Sequence, residues 1–287
     1  MGVLTLDQLV ACVQELPALP EAAQKVFRMT EDPNVSTREI GSVISSDIAL
    51  TTRLLRIANS AYYGIPRMVG TISEAVVILG IQALRNLALA AATFDLMKGE
   101  FAGYGLRAGE LWRHSVLCAL SAQIIAKKTQ AVKLEEAFVG GLLHDVGKVV
   151  LNVHVAPQFQ AILALAELDE MPFHEAERLI LGFDHAEVGR RVAEKWNLPT
   201  PLCMAIGAHH QADLEGDTAG LTAVIQAADA ACYVENSLLL APDPRSQCPA
   251  AALETLNLAQ ADLDEIVREA AEQASRSQGL SPVGRAA

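Results

Sequence analysis

Basic residues are scarce in this chain: 22 Lys and Arg stand against 34 Asp and Glu, a formal net charge of −12. No basic tract offsets that balance, so direct binding to a nucleic-acid backbone is not expected. An anionic ligand remains compatible, because a metal or a local Lys/Arg cluster can reverse the field inside one cleft. Paired cysteines are also missing. Cys12, Cys118, Cys203, Cys232 and Cys248 are scattered, with no Cys-x-x-Cys, the usage of a reducing compartment in which Cys acts as a small hydrophobe. The opening MGVLTLDQLV has no basic segment followed by a long apolar one, so no signal peptide is expected. Apolar runs such as LALAAATF fall short of the roughly 18 residues a membrane helix needs. Alternating strand patterns flanked by Asn-Gly or Asp-Gly turns are absent too. These absences predict a cytoplasmic protein, soluble and without a membrane span.

What remains is helical pattern. Apolar residues make up 51% of the 287 positions, enough for a buried core in one large or two small domains. Ser36 with Glu39, Thr71 with Glu74 and Asp184 with Glu187 have the spacing of helix-capping boxes. Pro20 and Pro172 suit first-turn positions. Apolar residues recur at three and four, as in Leu50, Leu54, Leu55 and Ala58. The expected fold class is all-α. Glycines in MKGEFAGYGLRAGE, residues 97–110, predict a boundary, and the composition shifts again after about residue 235. The expected organisation is an N-terminal helical part over 1–105, a helical core over 106–235, and a C-terminal segment over 236–287. That last segment reads as a proline-rich loop, one amphipathic helix over 251–274 and a frayed tail.

Two aspartates sit where ionised groups are rarely buried without a partner. Asp145 follows His144 in the aliphatic run VGGLLHDVGKVVL, and Asp229 is the sole charge in LTAVIQAADAACYV. His114, His185, His209 and His210 lie in similar company. Imidazole nitrogen and carboxylate oxygen together suit Zn, Mn or Fe, and the absence of nearby Cys disfavours a purely structural zinc. Adjacent ligands such as His144 and Asp145 lie about 100° apart around a helix. They converge best where a helix ends, and Gly147 is placed to end one. Each residue has a plainer reading: His114 as a core histidine bonded to a carbonyl, Asp229 as the partner of some Lys or Arg, His185 as an exposed first-turn residue. Gly147 and Lys148 equally suit a helix C-cap with a dipole-compensating cation or a phosphate contact. His154 and His174 carry no functional expectation. The ensemble is harder to explain as accident than any one member.

The order His114…His144-Asp145…Asp229 resembles the H…HD…D signature of the HD superfamily of metal-dependent phosphohydrolases. Upstream, the Leu-Pro-x-Leu-Pro segment, SSDIALTTRLLRIANSAYY and ISEAVVILGIQALRNLAL resemble the HDOD domain, as do HAEVGRRVAEKWNLP and AIGAHH further on. The resemblance spans roughly residues 10–235. It implies a multi-helical HD-like core preceded by an N-terminal helical subdomain, in a family found in bacterial signalling and regulatory proteins. His185, His209 and His210 are similar to the extra histidines of HD-GYP phosphodiesterases, and HDVGK resembles their HDxGK, in which Lys148 would face a phosphate. The Gly-Tyr-Pro segment expected after the paired histidines is missing; the chain reads HHQADLEGDTAG.

Two functions follow from the resemblance. One is a regulatory module acting in trans on signalling proteins, or through a nucleotide or cyclic-dinucleotide ligand, with a metal in its HD-like site. The other is a metal-dependent phosphohydrolase. In that case one or two divalent ions would be held by His114, His144, Asp145, His185, His209, His210 and Asp229, with Asp145 bridging and Lys148 on a phosphate oxygen. Arg53, Arg56, Asn59 and Arg67 offer a polar contact face to a partner, or are simply solvated beside a core stripe.

Overall fold

The computed structural model describes residues 5–13, 19–30, 32, 34–59, 65, 67–214, 216–234 and 248–276. Every regular element among them is helical, apart from one isolated bridge between Phe101 and Leu106. The all-α class expected from the sequence holds. The chain divides into a smaller unit, residues 18–96 with 271–287, and a larger one, residues 1–17 with 97–270. The opening helix α1 (Leu6–Val13) belongs to the larger unit.

The smaller unit contains α2 (Glu21–Met29), α3 (Thr37–Ser45), α4 (Ile48–Ala58) and the long α5 (Ile72–Met97). Its helix starts follow capping chemistry. Ser36 accepts from the Glu39 amide while the Glu39 carboxylate accepts from the Ser36 amide, a complete box. Thr71 accepts from the Glu74 amide, but the Glu74 carboxylate reaches the Gly70 amide instead. Pro20 is the residue before α2 rather than part of its first turn, as Pro172 is before its own helix. Of the four residues of the candidate polar face, Arg53 pairs with Asp95 at 2.5 Å and Arg67 with Glu74 at 2.9 Å. Asn59 is spent on the Val69 amide and carbonyl, while Leu54 and Ala58 are buried. α5 is long and apolar enough to cross a membrane by composition, which unbroken apolar runs alone did not reveal. However, 56% of its most apolar window is buried in the protein, and Gly80 at φ 84° breaks the helix.

The larger unit builds the site. Its α6 (Glu110–Thr129) is buried along most of its length against α7 (Leu134–Leu143) and α13 (Ala219–Val234). α6 and α7 approach closely because residue 141 is glycine: a Cβ there would stand 2.7 Å from the Cys118 carbonyl oxygen. After α7 a short turn leads into α8 (Gly147–His154), followed by α9 (Phe159–Leu168) and α10 (Phe173–Leu181). Then come α11 (His185–Lys195), opened by Asp184 accepting from the Glu187 amide at 2.8 Å, and α12 (Thr200–Gly207). Gly147 does not end α7, as the sequence suggested; α7 stops at Leu143 and Gly147 opens α8. It is glycine because α8 crosses α11 there, where a Cβ would stand 1.9 Å from the His185 carbonyl oxygen. The single helix expected over 251–274 is two, α14 (Ala250–Leu256) and α15 (Gln260–Arg276). Asn257 takes φ 50°, and Asp262 accepts from the Ala259 amide to start the second.

Candidate metal centre

Five elements deliver the titratable side chains to one place. His114 comes from mid-α6, His144 and Asp145 from the turn after α7, His185 from the first residue of α11, His209 and His210 from the turn after α12, and Asp229 from mid-α13. All except His210 are buried. The Nε2 atoms of His114 and His144 face each other at 3.3 Å. Asp229 Oδ1 lies 3.1 Å from the first and 3.5 Å from the second. On the other side, His185 Nε2 and His210 Nε2 are 2.9 Å apart, with His209 beside them. Asp145 stands between the two groups. Its Oδ2 is 3.5 Å from both His114 and His144, and its Oδ1 is 3.3 Å from His185 and 4.0 Å from His209.

Outer contacts decide which nitrogen each ring presents. His144 Nδ1 meets the Gly141 carbonyl at 2.8 Å, and His209 Nδ1 meets the Ile206 carbonyl at 2.7 Å. With Nδ1–H donated to a carbonyl, the Nε2 lone pair is turned inward. Buried Glu177 accepts from both the backbone amide and Nδ1 of His185, at 3.0 and 2.6 Å, and from the Tyr104 hydroxyl at 2.6 Å. Lys148, in the first turn of α8, donates to Asp145 Oδ2 at 2.6 Å. It is therefore neither a helix C-cap residue nor free of a partner.

The electrostatics are those of a charged cluster in a dry place. Burial pushes the Asp145 carboxyl up, but Lys148 and His144 outweigh it and hold the group well below the usual carboxylate range. Asp229 is likewise held far down by His114 and His144 against its burial. Burial opposes a charge on His144, yet Asp145 and Asp229 lift it to about 10. His209 goes the other way, down to about 3, through burial and then the charge of His144 and His185.

The donor set fits a metal. A tetrahedral ion with bonds of about 2.0–2.1 Å to N and O has donor–donor edges of about 3.3–3.4 Å. The His114, His144 and Asp229 atoms are 3.1–3.5 Å apart. Moreover, His209 Nε2 is buried with no hydrogen-bond partner, a costly state that a bound cation relieves.

Every candidate read from the sequence thus converges here, with Lys148 at the edge. His154, at the end of α8, takes no part in these contacts. Three participants carried no functional expectation. His174 stacks on the His210 ring at 4.0 Å and 3°. Glu177 and Tyr104 form the support under His185. One expectation needs correction: a cysteine is close by. Cys118 lies one turn beyond His114 on α6, with Sγ 4.0 Å from His114 Nε2 and 3.9 Å from Asp229 Oδ1; the His-x-x-x-Cys spacing was the available signal.

Comparisons with known proteins identify the family of this chain. The sequence profile of the HDOD domain family matches residues 16–212. An uncharacterized protein of Treponema pallidum (strain Nichols) is 30% identical over 200 residues, which is 69% of this chain and 38% of that relative. This chain therefore spans well under half the length of that curated relative. Among solved structures, an HDOD domain protein of unknown function from Geobacter sulfurreducens superposes with a TM-score of 0.75 at 26% identity. It covers 97% of this chain and 100% of its own. A protein from Shewanella amazonensis SB2B, provisionally named a phosphohydrolase, gives 0.75 at 25% identity over 97% of this chain and 98% of its own. With its profile match, its all-helical fold and its H…HD…D residues in one buried cluster, the chain belongs to the HDOD domain family.

Proposed function

We propose that this chain is a cytoplasmic regulatory domain of bacterial signalling that acts through protein or ligand binding, with a divalent metal held in the His/Asp centre. The observation that carries this reading is Asp145, with one carboxylate oxygen toward His114 and His144 and the other toward His185 and His209. His114, His144 and Asp229 would hold one ion, and His185, His209 and His210 a second, with Asp145 shared. Burial of the centre favours a structural or ligand-sensing ion over open turnover, since Asp145 and His144 expose at most 1% of their surface. Signalling proteins in trans, or a nucleotide or cyclic dinucleotide, are the expected partners.

The second reading, a metal-dependent phosphohydrolase, is favoured by Lys148. Its ammonium lies beside the bridging carboxylate, where it could exchange Asp145 for a phosphate oxygen. Bound metal would supply a water of near-neutral pKa and neutralise phosphoryl charge. The two readings separate by experiment. The protein would be prepared aerobically and anaerobically and its metal content determined. It would then be assayed on bis-p-nitrophenyl phosphate and cyclic dinucleotides with Mn or Fe. Bound metal without turnover supports the regulatory reading. Turnover abolished by Asp145→Ala supports the enzyme. Protein free of metal under both preparations contradicts both.

A further inference from the structure

We infer that Cys118 is a thiolate donor to the ion held by His114, His144 and Asp229, so that this half of the centre is a mixed nitrogen, oxygen and sulfur site. The inference rests on the proposed metal centre and adds to it a ligand and a preference. His114 and Cys118 are four residues apart on α6, which places both on the face turned to α7 and α13. Cys118 Sγ, His114 Nε2, His144 Nε2 and Asp229 Oδ1 all lie within 4.8 Å of one another. Around an ion with a bond of about 2.3 Å to sulfur and about 2.0–2.1 Å to nitrogen, sulfur–nitrogen edges are about 3.6 Å. The observed 4.0 Å to His114 Nε2 and 3.9 Å to Asp229 Oδ1 lie only a little beyond such an edge. Cys118 is wholly buried, and its Sγ also faces Asp229 Oδ1, a donor to the same ion.

Coordination converts the thiol to thiolate as the metal–sulfur bond forms, and the proton passes to solvent. A set of His and Asp donors alone suits Mn or Fe, whereas an added sulfur donor shifts preference to zinc and other thiophilic ions. The site then has no open position on this ion, in keeping with a structural or sensing role for that half. Asp145 would still bridge, with Oδ2 toward this ion and Oδ1 toward the second.

Cobalt(II) tests this directly, because a cobalt–thiolate bond gives a near-ultraviolet charge-transfer band that nitrogen and oxygen ligands do not. The full chain would be freed of metal, kept under a thiol-free reductant and titrated with Co(II). The expected result is that band together with visible ligand-field bands. In Cys118→Ser the charge-transfer band disappears while the ligand-field bands persist, and Cys203→Ser leaves both unchanged. Ligand-field bands without the charge-transfer band in the unsubstituted protein overturn the inference, whatever the variant does. So does a charge-transfer band that survives Cys118→Ser. No cobalt bound at any ratio overturns the metal centre itself, and the inference with it.

Discussion

Glu177 holds His185 through two hydrogen bonds, Nδ1 at 2.6 Å and the backbone amide at 3.0 Å, and so turns His185 Nε2 toward Asp145. A carboxylate behind a ligating imidazole fixes its tautomer and raises its basicity. Glu177→Gln keeps the shape but removes the charge. Its expected effect is a loss of about 10–100-fold in metal affinity, read by competition with a chelating dye. Unchanged affinity would show that Glu177 serves packing alone.

Metal binding is expected to strengthen as pH rises and to release protons. In the folded, metal-free chain, burial disfavours the charged imidazoles, but Asp145 and Asp229 lift His144 to about 10, and Glu177 foremost lifts His185 to about 9. Both return to about 6.5 when unfolded. The folded chain therefore holds extra protons between about pH 6.5 and 10. Their contribution to stability is complete below pH 6.5 and is lost as pH climbs through 9 and 10. Chelator-treated protein should melt at progressively lower temperature over that window, and metal should flatten the trend by displacing the same protons. Calorimetric titration in buffers of different ionisation enthalpy counts the protons released. No release at neutral pH, or a metal-free melting temperature that rises towards pH 10, would contradict the assignment.

The close crossing of α8 and α11 makes a stability prediction. Gly147→Ala gains about 1 kcal/mol at most in helix propensity. Against that, its Cβ meets backbone at 1.9 Å from the His185 oxygen and 2.7 Å from the Gly189 nitrogen. Backbone cannot rotate away as a side chain can, so a net loss of about 3 kcal/mol or more is expected. Gly99→Ala, where nothing lies within 4 Å, should change stability little. Urea unfolding of both variants reads the contrast; equal midpoints would mean that the helices can part without cost.

Much of this was legible in the sequence. Ser36 with Glu39 forms the complete box its spacing implies, and Asp184 caps α11 through the Glu187 amide alone, because capping is local chemistry. The cluster was legible for a different reason: Asp145 and Asp229 sat in apolar helices, where an ion needs a partner. Their supports were not. Glu177 lies in FHEAERLIL, a segment whose acids look solvated, and it reaches His185 only because α10 turns back at Gly182. Tyr104 comes from the glycine-rich 97–110 stretch, 73 residues from the Glu177 it touches. His174 carries no signal in the sequence because its stacking partner His210 lies on another element. Gly147 looked like a helix terminator, but its cause is a neighbouring backbone that one-dimensional pattern does not record. Asn257 breaks the C-terminal helix by adopting the left-handed conformation, which its helix-compatible neighbours conceal.

The central claim is that one buried carboxylate joins two metal subsites, and the stoichiometry of metal binding tests it most directly. Metal-free protein would be titrated with Zn(II) or Mn(II) and the bound ions counted by elemental analysis after gel filtration, for the unsubstituted chain and for Asp145→Ala. The expected result is two ions per chain, with Asp145→Ala retaining fewer while its helical content by circular dichroism is preserved. An unsubstituted chain that binds no ion at neutral pH, or an Asp145→Ala variant that binds as many and as tightly, would contradict the account.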